Sequence, residues 1–495
     1  MKTILPKGFF TQNGYANSFM LFSLLTHILA AITSTGFHHA DEHFQLLEPL
    51  GWKLGFYGPN DLAWEFTDKI RPGLQIILGW IVGKTMIAAD AYSPFMLTAI
   101  LRQLTGLLWW ILTWAFYNKW KQEHKDTVMQ KALLLFSACL WFLPYLHVRY
   151  SSESWGGLLF FAALYVVLCP PKTLKVNLSW LLGGLLMGLS FYFRFQMAFA
   201  IVGFVAWAFR YKKFTPASFS LLVSGGIIAA AIGTLTDYWL YNQWVCTPYN
   251  YFFQNIVADK ASSFGTSPFY SYITMFIEIA APPLSLLLLV LMCFGLWTSR
   301  RSPYTWVLVA FVVAHSAVAH KEFRFMFPMV ALMPYLCVQG FLAIKSRLSN
   351  ISPSVIKYSV KGFVAFNLAL MAISLIKPAS EREALFKAFY IVHNTHKNTK
   401  IVFAEKDPFD CGLKMNFFRY CNSCFVKQNE MNTAVDGTFF LYTDKIGGVV
   451  LQKNSIASLE YCVAPIVPQP MNIGHWQERT NKGFLWKIMP KQDAQ

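Results

Sequence analysis

Long, nearly uncharged apolar runs are the feature that most constrains how this chain can fold. A run of about 20 apolar residues crosses the hydrocarbon core of a bilayer as an α-helix. Only 14% of the 495 residues are charged, against about 25% in soluble domains. The sequence therefore predicts an all-α polytopic membrane protein with about eleven transmembrane helices. The predicted spans are roughly 17–36, 93–117, 132–148, 154–169, 178–193, 197–209, 217–236, 271–298, 303–319, 326–344 and 356–376.

The positions of Lys and Arg predict the orientation of these spans, because cytoplasmic loops carry an excess of basic residues. The basic clusters lie at 119–131, 172–175, 210–213, 300–301 and 345–357. All of them fall in the cytoplasm together if an ambiguous apolar run at 72–89 is re-entrant or interfacial rather than a span. The N-terminus is then cytoplasmic, and the loops 37–92 and 237–270 lie on the outer side, as does the chain after Lys377.

The net charge of +17 does not indicate a nucleic-acid-binding protein. The basic residues are spread over short clusters between apolar runs and form no basic arm or face. That distribution is typical of cytoplasmic loops beside an anionic membrane surface. The expected partner is therefore the membrane bilayer, and no nucleic acid is expected.

Two domains follow from the change in composition near residue 377. Residues 1–377, with the first outer loop 37–92, form the membrane domain, and 378–495 form a small extracytoplasmic soluble α/β domain. Alternation and β-branched or aromatic content favour strands in the C-terminal part, and a helical pattern precedes them. The predicted elements are a helix at 380–393 and strands at 400–405, 437–442 and 448–451.

The cysteines of the C-terminal part leave their chemistry open. They are Cys411, Cys421, Cys424 and Cys462. One CxxC without a second one is weak support for a zinc site, whereas disulfides form readily outside the cytosol. No metal site is predicted here.

Ionisable residues cluster directly after the first predicted span, in Gly36-Phe-His-His-Ala-Asp-Glu-His-Phe-Gln45. A hydrated loop is one interpretation, but charges at the end of a span often mark a functional site. His39 and His43 lie one helical turn apart, as metal ligands do, but the glutamate that HExxH requires after the first histidine is missing. We therefore predict no metal here, and Asp41 and Glu42 become the residues of interest.

Basic residues also occur at outer ends of spans, against the general rule. Arg149 and Arg194 lie between predicted spans on that side, and His320-Lys-Glu-Phe-Arg-Phe325 joins two more. Snorkelling of long side chains is one explanation, and binding of an anion at that surface is another. A lipid-phosphate sugar donor fits the second explanation. Its phosphate leaves as an anion that cations can stabilise, while a carboxylate deprotonates the acceptor hydroxyl.

Two other classes of function stay open on the residues alone. A lipid or solute transporter or flippase without transferase activity would carry charges near the bilayer midplane and inverted repeats, whereas these charges lie at one face. A membrane scaffold with an active C-terminal domain is the other alternative.

Four stretches in this order resemble a known family: His39–Gln45, Ile70–Gln75, Asp237–Asn250 and His320–Pro328. The sequence resembles the membrane-embedded GT-C glycosyltransferases of family 22, which use dolichyl-phosphate mannose, and within them the third mannosyltransferases of GPI-anchor assembly. The resemblance implies a GT-C fold and an inverting transfer of mannose from a dolichyl or polyprenyl phosphate to a membrane glycolipid. It implies no required cofactor. One departure is Pro72-Gly73, where the family usually has Ser-Tyr.

The resemblance also implies roles for individual residues. Asp41 matches the general base, with Glu42 beside it in the catalytic motif. The residues expected to face the donor phosphate are Lys321, Arg324, His320 and Arg71. The other candidate substrate-binding residues are His43, Gln45 and Asp237, together with Arg149 and Arg194 among the outer-side cations. Structural pairing of Asp237 with a cation is the alternative for that residue. The expected location is the ER membrane of a eukaryote or the inner membrane of a bacterium, with the active site on the lumenal or periplasmic face.

Overall fold

The chain divides into two compact units. The first comprises Met1–Ala31, Lys69–Gln75 and Leu101–Ile376, and the second comprises Ile32–Asp68, Ile76–Ile100 and Lys377–Gln495. The computed structural model describes residues 14–123, 127–170, 174–347, 352–376, 382–395, 401–403, 410, 412–419, 425–427, 439–443, 455–463 and 483–490.

Helices account for most of the described residues. In chain order they are α1 (Gly14–Thr33), α2 (Ala40–Glu42), α3 (Glu48–Leu54), α4 (Trp64–Thr67), α5 (Leu74–Ala88), α6 (Pro94–Glu123), α7 (Thr127–Cys139), α8 (Leu143–His147), α9 (Ser152–Leu168), α10 (Val176–Phe193), α11 (Met197–Arg210), α12 (Pro216–Tyr241), α13 (Thr247–Phe252), α14 (Ser271–Ile279), α15 (Leu284–Thr298), α16 (Pro303–Ala317), α17 (Met333–Arg347), α18 (Pro353–Ile376) and α19 (Glu383–Thr395). Two π-helical segments, His43–Leu47 and Phe253–Val257, and three 3-10 helices, Pro59–Asp61, Lys260–Phe264 and Phe323–Leu332, accompany them.

The predicted helical membrane architecture is confirmed. Six helical stretches in the described part of the chain are long and apolar enough to cross a membrane: Ala16–Thr33, Pro94–Gln122, Val176–Phe193, Pro216–Tyr241, Phe323–Arg347 and Lys357–Ile376. Shorter apolar helices accompany them, and each of the predicted spans contains at least one helix. Large apolar side chains such as Ile227 and Leu235 point outward from α12, as a lipid-facing surface requires. The side of the membrane that each loop faces stays a prediction.

Three of the predicted spans are interrupted, and proline accompanies each interruption. The run 132–148 divides into α7 and α8, and 271–298 divides into α14 and α15 around Pro282-Pro283. The run 326–344 begins as a 3-10 helix that contains Pro328. Proline lacks the amide hydrogen that continues an α-helix, and its ring clashes with the preceding turn. The sequence pattern had predicted these as continuous spans.

Glycines let helices of the first unit approach closely. The helix α10 packs against α9 and α12, α11 against α16, and α15 against α17. A Cβ atom on Gly184 of α10 would lie 1.9 Å from the carbonyl oxygen of Leu222 in α12. One on Gly340 of α17 would lie 1.8 Å from the carbonyl oxygen of Leu291 in α15. Such small residues are typical of helix interfaces in membranes, where backbones pack directly.

The C-terminal part of the second unit contains a five-stranded mixed sheet. Its strands are β1 (Ile401–Phe403), β2 (Phe425–Lys427), β3 (Phe439–Thr443), β4 (Ser455–Val463) and β5 (Gly483–Pro490), in the order β2-β1-β3-β5-β4. The strand β1 pairs in parallel with β2 and β3, while β5 pairs antiparallel with β3 and β4. Because α19 packs against β4 and β5, the predicted small α/β region is confirmed.

Some of the elements predicted for the C-terminal part occur in the structure, and some observed strands were not predicted. The strands predicted at 400–405 and 437–442 correspond to β1 and β3, and the helix predicted at 380–393 corresponds to α19. The strands β2, β4 and β5 were not predicted. The predicted strand 448–451 lies outside the described residues, as do Cys411, Cys421 and Cys424, whereas Cys462 in β4 is a free, exposed cysteine.

Most of the first outer loop belongs to the same compact unit as the C-terminal part. Residues 32–68 and 76–100 join it, while 69–75 join the first unit. The two units share the predicted boundary near residue 377, but the first loop was predicted within the membrane domain. The division into domains at 377 and 378 stays a prediction.

Candidate active site

Asp41 lies in the middle of the short helix α2, at the start of a continuous helical stretch. The π-helical segment His43–Leu47 and then α3 follow it directly. His39 is the N-cap residue of α2, and its Nδ1 atom accepts a hydrogen bond from the backbone N–H of Asp41 at 3.2 Å. The Asp41 side chain is 27% exposed. The carboxylate is thus held on an ordered turn and remains accessible, and Glu42 ends the same turn.

His43 and Gln45 turn inward from this stretch. The Nε2 atom of His43 lies 2.7 Å from Oε1 of Glu48, and the two side chains are 0% and 2% exposed. Gln45 donates its amide hydrogen to Oε1 of Glu65 at 3.2 Å. Both predicted substrate-binding residues therefore contact buried carboxyl groups of their own unit. Their roles toward a substrate stay predictions.

Tyr57 contacts the backbone of Glu48. Its hydroxyl group donates a hydrogen bond to the backbone carbonyl oxygen of Glu48 at 2.8 Å. Burial, together with the negative charge of Glu48, raises the pKa of Tyr57 well above its usual value. The tyrosine therefore stays a neutral hydrogen-bond donor across the physiological pH range.

In the first unit, Glu153 joins two of the predicted basic residues. It lies in the first turn of α9, and its Oε1 atom accepts hydrogen bonds from Nη1 of Arg194 at 2.8 Å and Nη1 of Arg324 at 3.0 Å. Arg324 also bonds both carboxyl oxygens of Glu322, at 2.6 Å through Nε and 3.2 Å through Nη2. The side chains of Glu153, Arg194 and Arg324 are all less than a tenth exposed. We call Glu153, Arg194, Glu322 and Arg324 the Glu153 cluster.

His320 contacts Glu322 of the cluster, and Lys321 bonds nearby backbone carbonyl groups. The two ring nitrogens of His320 lie 3.0 Å from the carbonyl oxygen of Gly265 and 2.9 Å from Oε1 of Glu322. The ammonium group of Lys321 donates to the carbonyl oxygens of Ser267 at 2.8 Å and Val318 at 2.6 Å. In this arrangement Lys321 holds the loop before α14 against the end of α16. The expected role of both residues at a phosphate stays a prediction.

Asp237 lies near the end of α12, and the backbone of Arg71 bonds Tyr241 of the same helix. The carboxylate of Asp237 is buried and accepts hydrogen bonds from the backbone N–H of Gly73 at 2.8 Å and the hydroxyl of Thr247 at 2.5 Å. The Arg71 carbonyl oxygen accepts from Tyr241 at 2.7 Å, and its guanidinium group lies 5.9 Å from the ring centre of Tyr251. These two partners of Asp237 are neutral groups and not the expected cation. The role of Asp237 toward a substrate stays a prediction.

Gly73, at the departure from the family pattern, lies against the backbone of α12. A Cβ atom there would lie 2.3 Å from the carbonyl oxygen of Thr236, so only glycine allows this approach. Arg149 is buried, and its guanidinium group lies 5.2 Å from the ring centre of Tyr145. Arg149 therefore has an aromatic neighbour within its own unit.

Two buried carboxylates organise these sites, and neither was singled out by the sequence. Glu153 lies four residues after Arg149, between two predicted spans, and Glu48 lies three residues after Gln45, the end of the first-loop motif. Glu48 stands in a mainly apolar stretch, and a charge in such a place requires a partner. That signal was available, but it does not identify the partner. No group of three or more His, Cys, Asp or Glu residues that could hold a metal ion occurs in the part of the chain that the structure describes.

Comparison with known proteins gives the family. The model of the Alg9-like mannosyltransferase family matches residues 18–425. The chain is 22% identical to GPI mannosyltransferase 3 of Candida albicans over 348 residues, covering 68% of this chain and 67% of the relative. It is 23% identical to GPI alpha-1,2-mannosyltransferase 3 of Xenopus laevis over 393 residues, covering 76% of this chain and 70% of the relative.

A solved structure gives the fold. This chain is similar to the crystal structure of ArnT from Cupriavidus metallidurans bound to undecaprenyl phosphate, with a TM-score of 0.54 and 10% sequence identity. The match covers 95% of this chain and 98% of the ArnT chain. The GT-C fold expected from the sequence is therefore confirmed. The chain belongs to the Alg9-like mannosyltransferase family, and it is a multi-pass membrane mannosyltransferase rather than a transporter or flippase.

Proposed function

We propose that this enzyme transfers mannose from dolichyl phosphate mannose to a hydroxyl group of a GPI-type membrane glycolipid, with inversion at the anomeric carbon. Asp41 is the general base. An α-1,2 linkage is the product expected from the name of the Xenopus relative. The proposed location is the ER membrane, with the reaction on its lumenal face.

The observation that carries this proposal is the contrast within the first-loop stretch. His43, Gln45 and Glu48 are buried and bind one another or residues of their own unit. Asp41 precedes them, partly exposed, on a turn that the His39 side chain caps. A carboxylate that is ordered yet accessible can come within hydrogen-bond reach of an incoming hydroxyl group, which general-base catalysis requires.

The acceptor hydroxyl gives its proton to a carboxylate oxygen of Asp41, and the acceptor oxygen forms the new bond to the anomeric carbon. The bond between that carbon and the phosphate oxygen breaks on the opposite side, which inverts the configuration. Dolichyl phosphate leaves with the bonding electron pair and one more negative charge.

Cations must stabilise that developing charge, because an ionised leaving group departs more easily beside fixed positive charges. We propose that Arg324, held from both sides by Glu153 and Glu322, is the central phosphate contact. His320, Lys321 and Arg71 are assigned supporting places around the same phosphate. Lys321 would contribute its charge while it keeps its bonds to backbone carbonyl groups.

The test is Asp41→Asn, measured in microsomes of a yeast that expresses the chain and receives tritiated dolichyl phosphate mannose. Transfer of label to glycolipid should fall by about 10²–10⁴-fold, the usual contribution of a general base. Retention of labelled donor by the purified variant should stay close to that of the wild type, because asparagine keeps the size of the side chain.

The matched control is Asp90→Asn. Asp90 is exposed in the turn between α5 and α6 and has a φ of 52°, a conformation that asparagine also tolerates. This variant should transfer label like the wild type. Near-normal transfer by Asp41→Asn in protein that is folded and binds donor would reject Asp41 as the base.

A further inference from the structure

The C-terminal part contacts the first-loop stretch at its most buried point. Oε1 of Glu48 accepts two hydrogen bonds at once, from Nε2 of His43 at 2.7 Å and from the backbone N–H of Phe417 at 3.0 Å. All three residues belong to the second unit. A single carboxylate oxygen therefore ties the motif that contains Asp41 to a segment more than 360 residues later in the chain.

The backbone explains why His43 and Glu48 meet. They are five residues apart, and the segment between them is π-helical, with the N–H of Glu48 bonded to the carbonyl oxygen of His43. A π-helical turn places residues i and i+5 one above the other, whereas an α-helix does so for i and i+4. The pair therefore exists only while this turn keeps its π-helical form. The turn begins two residues after Asp41.

Aromatic rings of the C-terminal part enclose the same histidine. Phe386 of α19 and Phe418 stack on the His43 ring, with ring centres 6.0 Å and 5.8 Å away and planes inclined by 24° and 19°. Their own ring centres lie 4.3 Å apart. Phe37 and Phe44 of the first loop complete the enclosure. Aromatic pairs of this kind add about 0.5–1.5 kcal/mol each beyond the area they bury.

The C-terminal part also contacts the N-terminal half of the second unit at two other residues, Asp61 and Phe95. Asp61, in the 3-10 helix of the first loop, accepts hydrogen bonds from Lys414 at 3.1 Å and Asn416 at 3.2 Å. Phe95, at the start of α6, packs against Phe389 of α19 and against Phe418, with ring centres 6.0 Å and 5.1 Å apart. The segment 412–419 and α19 thus contact the first loop at Glu48 and Asp61, and the start of α6 at Phe95. We call this segment and α19 together the C-terminal clamp.

We propose that the C-terminal clamp is a positioning element of the transfer reaction. It fixes the π-helical turn through Glu48, and the turn sets where the carboxylate of Asp41 lies relative to the acceptor hydroxyl. Glu48 is thus a positioning residue and does not touch substrate. This inference rests on the proposed role of Asp41. It gives the C-terminal part a task in catalysis.

The test compares Glu48→Ala with Glu48→Gln in the full-length enzyme. Glutamine keeps a carbonyl oxygen that can accept from His43 and from the Phe417 N–H, while alanine removes it. With tritiated dolichyl phosphate mannose, Glu48→Ala should lower kcat by about 100-fold, the cost of displacing a reacting group by about 1 Å. The KM for the donor should stay nearly unchanged, and glutamine should recover most of the lost rate.

A second pair of variants distinguishes loss of the clamp from general misfolding. Phe418→Ala removes a ring that stacks on His43, whereas Ile488→Ala removes a buried side chain of β5, whose strand neighbours are Phe439 and Ala457. Both variants lose buried apolar contact. The clamp requires that only Phe418→Ala lowers kcat at unchanged donor KM. Equal loss in both, or a rise in donor KM as large as the fall in kcat, would overturn the proposal.

The outcomes separate this inference from the function on which it rests. If Asp41→Asn abolishes transfer while folded Glu48→Ala and Phe418→Ala keep the wild-type kcat, the clamp is wrong and the base assignment stands. If Asp41→Asn keeps its activity, the base assignment fails and the clamp fails with it. If glutamine at position 48 is as inactive as alanine, Glu48 acts through its charge, and positioning by hydrogen bonds is rejected.

Discussion

Glu153 in the first unit and Glu48 in the second are alike in position and differ in their partners. Each lies in the first turn of a helix, and each side chain is no more than 4% exposed. Glu153 accepts from two guanidinium groups. Glu48 accepts from a histidine ring and a backbone N–H. The negative charge is therefore indispensable at Glu153, whereas at Glu48 the position of an acceptor oxygen is what matters.

The largest effect should come from Glu153→Gln. Glutamine keeps the shape of the side chain but removes the counter-charge that the buried Arg194 shares with Arg324, while Arg324 keeps its ion pair with Glu322. Breaking a buried ion pair by neutralising one partner costs about 3–5 kcal/mol. We expect a clearly lower midpoint temperature of thermal unfolding in detergent and little folded protein on expression.

Glu48→Gln is the matched comparison for Glu153→Gln, because its partners do not depend on a full negative charge at that position. Its unfolding midpoint should fall much less than that of Glu153→Gln. Equal midpoints for the two glutamine variants would show that the two carboxylates do not differ in the way that their partners indicate.

The sequence predicted the features that depend on neighbouring residues and not those that depend on contacts between residues far apart in the chain. The apolar runs, Asp41 and the stretch His320–Phe325 are local patterns, and each predicted span contains at least one helix although three of the spans are interrupted. The link between Glu48 and Phe417 was out of reach, because a backbone N–H has no signature in the sequence and its partner lies hundreds of residues away. The π-helical turn has no signature of this kind either, since its five-residue spacing differs from the 3.6-residue period of hydropathy in an α-helix.

The Glu153 cluster could be predicted only in part. Arg194 and Arg324 were singled out as cations on an outer face, but the carboxylate that joins them was not. Pairing across different helices depends on how those helices pack, and hydropathy alone does not contain that information. In the same way, His43 was predicted from its motif, whereas its burial against Phe386 and Phe418 depends on the fold of the C-terminal part.

A smaller effect is expected from two glycines that lie beside these carboxylates. A Cβ atom on Gly157 of α9 would lie 2.9 Å from the Cα atom of Pro328, in the 3-10 helix that carries Arg324. A Cβ atom on Gly51 of α3 would lie 2.2 Å from the hydroxyl oxygen of Tyr57. A backbone cannot move aside as a side chain can. Gly157→Ala should therefore cost about 1–3 kcal/mol of stability through overpacking.

Gly51→Ala should cost less, because Tyr57 can rotate and alanine favours the helix by up to about 1 kcal/mol over glycine. Gly226→Ala is the control, since a Cβ atom at Gly226 in α12 meets nothing within 4 Å. Unfolding midpoints in detergent measure all three variants. A midpoint for Gly157→Ala at or above that of Gly226→Ala would contradict tight packing beneath the Glu153 cluster.

The smallest effect should come from Asp61→Asn, which weakens the exposed contact of the C-terminal clamp. The side chains of Asp61 and Lys414 are 40% and 54% exposed, and an ion pair in water contributes about 1 kcal/mol or less. Asparagine still accepts from Asn416. At about 1 M salt, where the screening length is about 3 Å, the difference in midpoint from the wild type should disappear. If Asp61→Asn lowered the unfolding midpoint as much as Glu48→Ala does, and the fall persisted in salt, the clamp would depend more on its exposed contact than on the buried Glu48.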